Sequence, residues 1–509
     1  MRSPRHAVSS GGAVEAGRLG AVPKARARLE ESYTLRRLKR RVGRRPSVQR
    51  AQPPERPVGI KLELTHACNL RCDFCYTDSP RHTVARSADL SDQAWRKVVE
   101  QALELGVVEA VLTGGEPLLR TPLVLELLER LIGGGAGVTL NTNGWFLDEA
   151  LADRLAQVRG LTVNVSLDGA TAELHDAARG VPGSWRRAVR AIALLLERDV
   201  NVIVVHVVTP LNAPWVGELL EHLWLLGVRV IRLTPVLPIG AASRVRGWTV
   251  DRRALRRTVS EARLRFGETF QPIVQSGVPE IMAARESRAP AALLVRPSGA
   301  VLIDSLHPFA FGHVDDGLAA CWQQIVAEWR APEIEAWARS IPSSRRMADA
   351  SVVPYADPEP MVGSMEAARL TGPDRIRAAP GTVAPRLPRR TGRSTEPSAS
   401  AGDLEAAREQ VLELSLARRY SVVPLRWTGD RDGERVLRLL DDGRMCRLNA
   451  SAGLVLEQLG DRTVSEAVAA LAARHPDIPG EQLTLDTLRT ARWLAARGVL
   501  RRPTPRVPV

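Results

Sequence analysis

The chain has 509 residues, 44% apolar and 25% charged, with five cysteines and a net charge of +14. That apolar fraction suffices for a large core in two or three domains, while five cysteines in so long a chain exclude a disulfide framework and suit a reducing cytoplasm. No run of about 18 apolar residues reads as a membrane span, and the N-terminus lacks the apolar stretch of a secretory signal.

Residues 1–56 hold 13 Arg and 2 Lys against 4 Glu, so +11 of the +14 sits there. The remainder is near charge balance, which makes nucleic acid an unfavoured partner and reads 1–56 as a basic, disordered extension. From 57 to 266 short β-branched runs alternate with amphipathic stretches: "VGIKLEL" (58–64), "VEAVLT" (108–113), "VTLNT" (138–142), "LTVNVSL" (161–167), "NVIVVHVV" (201–208) and "VRVIRLT" (228–234). Trp95, Val98, Val99, Ala102 and Leu103 fall on one face of a helix between the first two. The alternation predicts βαβ units on a parallel sheet, a barrel or part of one, with its chemistry on loops after the strand C-termini. Residues 267–345 contain a hairpin pattern around Pro297-Ser298-Gly299 and a helix near "AACWQQIVAEW", and 346–405 read as a linker with eight prolines between 351 and 400. Residues 406–509 read as a small, separately folded domain on a flexible tether.

The loop after the first strand, "THACNLRCDFCY", places Cys68, Cys72 and Cys75 in C-x3-C-x2-C spacing. Zinc uses four ligands, or three with an open position, and His66 would complete a Cys3His set. An iron–sulfur cubane on three thiolates leaves one iron open to a small molecule. The next loops carry "TGGEP" (113–117), "NTNG" (141–144) and "SLDG" (166–169), where glycines allow close backbone approach to a ligand and Glu116 offers a carboxylate. His206 on the fifth strand is a candidate for the barrel mouth and Asp304 for substrate contact.

With these loops in register, residues 57–265 resemble the radical SAM superfamily. The resemblance implies an α/β fold with a partial (β/α)6 barrel. It further implies one [4Fe–4S] cluster on Cys68, Cys72 and Cys75, and S-adenosylmethionine held by Phe74, Gly114, Gly115, Glu116, Pro117, Asn143, Ser166, Asp168 and Arg179. Residues 267–345 resemble the SPASM extension, but Ile303-Asp304 stands where that family places a cysteine, so no second cluster is expected. Cys321 is a candidate hydrogen donor, as in some radical epimerases. Residues 412–502, with "CRLNASAGLVLEQLGDRTVSEAV" and "LAARGVL", resemble the PqqD-like recognition elements, small winged-helix-like α+β domains that bind a leader peptide. Together these imply a cytoplasmic maturase that captures a ribosomal precursor peptide through 406–509 and modifies it by hydrogen abstraction, fed by a flavodoxin or ferredoxin. The alternatives are a radical SAM enzyme acting on a small molecule and a zinc-containing nucleic-acid-binding protein.

Overall fold

The computed structural model describes residues 52–334 except 78, 80–88, 237–239, 245–249, 268, 276–288, 306–308 and 333. It also describes 359–360, and 399–501 except 432–433, 441–443 and 461. Most of the expected basic extension and nearly all of the expected linker lie outside these residues.

Seven strands alternate with helices in chain order: β1 (Gly59–Glu63), α1 (Asp92–Glu104), β2 (Glu109–Thr113), α2 (Thr121–Gly133), β3 (Gly137–Thr142), α3 (Glu149–Gln157), β4 (Leu161–Ser166), α4 (Ala172–Arg179), α5 (Ser184–Glu197), β5 (Asn201–Val208), α6 (Val216–Leu226), β6 (Val230–Pro235), α7 (Arg252–Phe266) and β7 (Gln271–Val274). Helix α1 starts where the Ser91 hydroxyl accepts from the Ala94 amide, and it buries Trp95, Val98, Val99 and Ala102 as its periodicity predicts. A hairpin of β8 (Ala292–Val295) and β9 (Val301–Leu302) follows. One sheet runs β7-β6-β5-β4-β3-β2-β1-β8-β9. Strand β1 pairs in parallel with both β2 and β8, so the hairpin expected in a separate extension continues the barrel sheet. Beyond it, β10 (Phe309–Ala310) pairs with β11 (Glu359–Pro360), and α8 (Leu318–Glu328) packs on α1.

Register gives the sheet two unlike faces. Glu63 lies beside Thr113, Asn141 beside Asn164, Ser166 beside Val205 and Val207 beside Thr234. One face is therefore largely polar, with half-buried positions alternating along β3 and β5. The other face carries Leu62, Leu112, Leu140, Val163, Val204 and Leu233, all fully buried. Because strand side chains alternate, a site fits the polar face without disturbing the core.

The C-terminal region opens with α9 (Ala401–Leu416), which begins inside the stretch expected as linker; Ser400 and Asp403 close a capping box there. Strand β12 (Ser421–Val422) pairs with β16 (Leu500–Arg501), and β13 (Leu425–Arg431), β14 (Glu434–Leu439) and β15 (Met445–Leu448) form an antiparallel sheet. Three helices follow: α10 (Ala450–Leu459), α11 (Val464–Arg474) and α12 (Gly480–Ala496). Helix α9 lies along α6, and one continuous apolar core joins this α+β region to the barrel. The region is docked where a loose tether was expected.

The two-faced sheet predicts unequal costs for neighbouring truncations. Leu140→Ala is expected to destabilise the chain by about 2–5 kcal/mol. Thr139→Ala on the open face is expected to cost about 0.5 kcal/mol or less. Equal losses in denaturant titrations of the two variants would overturn this assignment of faces.

Candidate active site

The cysteine loop and the loop after β2 are joined backbone to backbone. The Gly115 amide donates to Thr65 O at 2.7 Å and the Glu116 amide to Ala67 O at 2.8 Å. A Cβ on Gly115 would sit 2.0 Å from Ala67 O, and one on Gly114, with φ +132°, 2.8 Å from Thr65 O. The glycines expected to admit a ligand thus first admit the neighbouring loop.

Glu116, 1% exposed, faces inward. Its Oε1 accepts from the Leu118 amide (3.0 Å) and the Thr142 hydroxyl (2.8 Å), and its Oε2 from the Asn143 amide (2.8 Å). Burial pushes its pKa up to about 7, against the lowering by these hydrogen bonds. Pro117 begins the short helical turn that follows. Asn143 in turn donates to Asn69 Oδ1 at 2.9 Å and lies 4.0 Å from Cys68 Sγ.

The three thiols share this setting. Cys68 Sγ accepts from the Leu70 amide at 3.4 Å, and Cys75 Sγ lies 3.2 Å from the Thr77 hydroxyl. Burial pushes Cys68 and Cys72 each up to about 12, and mutual repulsion among the thiolates adds to the rise. At Cys72 the Arg179 guanidinium, 3.6 Å from Sγ, opposes it. Leu70, Cys72, Phe74 and Ala242 form a small apolar cluster around the loop, with Cys68, Cys75 and Trp145 packed against it.

Asp168 is fully buried and wholly engaged. Its Oδ1 accepts from the Val207 amide at 2.6 Å and its Oδ2 from Arg179 Nε at 2.5 Å, while its own amide donates to His175 Nδ1 at 2.9 Å. His175 is therefore an unprotonated acceptor at Nδ1, and burial lowers its pKa to about 3. Burial opposes the charge of Arg179, but Asp168 and Cys72 outweigh that and hold its pKa up. The Arg179 guanidinium also lies over the Phe74 ring, 5.3 Å from its centroid. Ser166 ends β4 on the open face, two residues beyond Asn164.

Some expected residues lie elsewhere. His206 alternates with Val204 and Val208 on the helix-covered face, and its Nδ1 lies 2.9 Å from Leu167 O and 3.8 Å from Asp168 Oδ1, so it backs Asp168 from the core side. Cys321, 1% exposed in α8, donates to His313 O at 3.4 Å, so the structure does not bring it to the site loops. Asp304 is half-buried beside Ser305, which accepts from Lys61 Nζ on the open face at 2.6 Å. Sequence reasoning missed Lys61, Glu63 and Tyr76, although period-2 alternation in "GIKLE" carried the signal. The Tyr76 hydroxyl donates to Glu63 Oε1 at 3.1 Å, and Lys61 Nζ stands 4.9 Å over the Tyr76 ring.

Among the described residues no three His, Cys, Asp or Glu are arranged to cage a single ion. The fit of an iron–sulfur cluster rests on the donor chemistry. Three thiols of one loop couple electrostatically, a buried cation faces one of them, and the buried Asn69 Nδ2 beside them has no hydrogen-bond acceptor. This donor set suits a thiolate-ligated cluster.

Residues 62–223 match the model of the radical SAM superfamily, and residues 434–500 that of coenzyme PQQ synthesis protein D (PqqD). The AdoMet-dependent heme synthase of Oleidesulfovibrio alaskensis is 30% identical over 186 residues, 36% of this chain and 47% of that protein. The PqqA peptide cyclase of Methylocella silvestris is 30% identical over 253 residues, 50% of this chain and 60% of that protein. Streptococcus suis SuiB bound to S-adenosylmethionine aligns with 61% of this chain and 72% of its own, at 15% identity and a TM-score of 0.42. The chain thus spans about half the length of the curated relatives it matches. It carries a radical SAM domain over residues 62–223 and a PqqD domain over residues 434–500.

Proposed function

We propose that the chain is a radical SAM maturase of a ribosomally made peptide. The carrying observation is a set of three thiols on one loop at the C-terminal ends of a parallel sheet, with a buried guanidinium 3.6 Å from one of them. Cys68, Cys72 and Cys75 would ligate one [4Fe–4S] cluster. With S-adenosylmethionine bound, that group supplies one-electron cleavage of the sulfonium and a radical able to abstract hydrogen from the substrate.

The chain's own residues supply binding, orientation and dryness. Arg179 offsets thiolate charge at Cys72, and Asp168 holds Arg179 there and ties it to β5. Glu116 fixes the loops after β2 and β3 against each other. Leu70, Phe74 and Ala242 keep water from the loop. The S-adenosylmethionine contacts fall to Gly114, Gly115, Glu116, Asn143 and Ser166, with Asp168 and Arg179 acting behind them. Five free cysteines fit a reducing cytoplasm, where a flavodoxin or ferredoxin would supply the electron.

The match of residues 434–500 to PqqD supports a peptide as the substrate. Strand β15 lies at one edge of its sheet, paired with β14 alone among the described residues. A leader peptide would add there as a further strand, held by backbone hydrogen bonds.

Replacing Cys68, Cys72 or Cys75 by Ala is expected to abolish iron retention and S-adenosylmethionine cleavage while circular dichroism stays unchanged. A single variant that keeps full iron and turnover would sink the assignment. Glu116 titrates at about 7 in the fold against 4.5 as its ordinary value. Its neutral form therefore favours the fold below pH 4.5, and that contribution is lost as pH rises through 7. Glu116→Gln should gain stability relative to the parent as pH climbs across this window; a pH-independent difference would count against a buried ionising carboxyl. Leader binding is expected to slow hydrogen exchange at 445–448, and protection confined to other segments would displace the docking edge.

A further inference from the structure

The last turn of α6 has carbonyls with no partner inside the helix, and side chains of the C-terminal region cover them. Ser415 of α9 and Arg492 of α12 both donate to Leu225 O, and Arg418 donates to Leu226 O. Ser415 and Arg418 are buried. Two guanidinium groups at the negative end of a helix are electrostatically favourable as well as hydrogen-bonded.

The barrel is shaped to receive them. Gly227 ends α6 at φ +85°, and a Cβ there would stand 2.3 Å from Arg418 Nη1. The glycine turns the chain and leaves the slot for the guanidinium. Arg492 lies over Trp224, 4.6 Å from the ring centroid, and Trp224 stacks on Phe266 of α7 at 5.0 Å. Glu221 binds Arg265 of α7 at 2.8 Å and Arg408 of α9 at 3.4 Å, bridging the barrel's outer helices and the C-terminal region.

Helix α6 is also close in the chain to the site. It connects β5, whose Val207 amide bonds Asp168, to β6, beyond which the Ala241 amide bonds Cys75 O at 2.8 Å. The docking helix and the cysteine loop thus share one β-α-β unit.

We propose that Ser415, Arg418 and Arg492 are positioning residues that clamp the peptide-recognition domain on α6, so that a captured leader holds one fixed placement relative to the barrel mouth. This rests on the peptide-maturase reading and adds to it that the protein, and not the length of residues 361–398, sets the spacing between the leader's bound strand and the modified residue. A loosely tethered module would deliver the core peptide at an effective concentration that falls with linker length; a clamped one would not.

The test uses the full chain. Without peptide, Arg418→Gln/Arg492→Gln should raise hydrogen exchange in 401–416 and 225–228 together, about tenfold or more, with 92–133 unchanged. Arg492→Lys, which keeps a cation over Trp224, should retain most of the protection. With a precursor peptide whose leader the parent chain binds, the double variant should raise KM about tenfold with kcat and leader affinity within about twofold, and inserting about 20 Gly/Ser residues within 361–398 should leave KM unchanged. Unchanged exchange in the double variant, an unchanged KM, or a KM that rises with the insertion would each overturn the proposal. Failure of the parent chain to bind any leader would sink the maturase reading while leaving the exchange result standing.

Discussion

The buried Asp168–Arg179 pair holds the site together. Asp168 has no exposed surface, and its two oxygens take the Val207 amide and the Arg179 guanidinium. Arg179 then reaches Cys72 Sγ and covers Phe74. One ion pair therefore joins β4, α4, β5 and the cysteine loop. A buried pair of this kind contributes modest net stability, yet removing one partner strands an uncompensated charge. The pair ties these four segments together in one arrangement.

The sheet shows why such an arrangement can exist at its rim. Parallel strands covered on both faces read as continuous apolar runs. Here they alternate, and the polar positions converge on one face. Asn164 donates to Asn141 Oδ1 at 2.8 Å, and Asn141 to Thr113 Oγ1 at 3.3 Å, a chain of amides crossing three strands. Helix packing against Leu112, Leu140 and Val163 holds the strands from the other side. Stability and chemistry are thus assigned to opposite faces of the same residues' backbone.

What the sequence disclosed follows from how local each feature is. The six strands, the apolar face of α1 and the cysteine spacing are fixed within a few residues, and all were legible. Thr463 and Glu466, three residues apart, close the capping box of α11 in the same local way. His206 misled because a histidine in a strand invites a functional reading, although its parity with Val204 and Val208 already placed it in the core. Helix α9 was hidden because Ser400 and Asp403 sit at the edge of a Pro- and Ser-rich stretch that masks a cap. Strand β8 beside β1, the inward turn of Glu116 and the clamp on α6 depend on partners far away in sequence. No local pattern encodes them.

The electrostatics of the loop give its remaining logic. Burial holds the Cys68 and Cys72 thiols at about 12, so at neutral pH they are protonated without a metal. Ligation must displace those protons, which couples cluster uptake to pH and to the integrity of the packing around it. The apolar shell that raises the thiol pKa values also keeps water from the ligated site. Desolvation is costly to a bare thiolate and is offset once the thiolate is ligated.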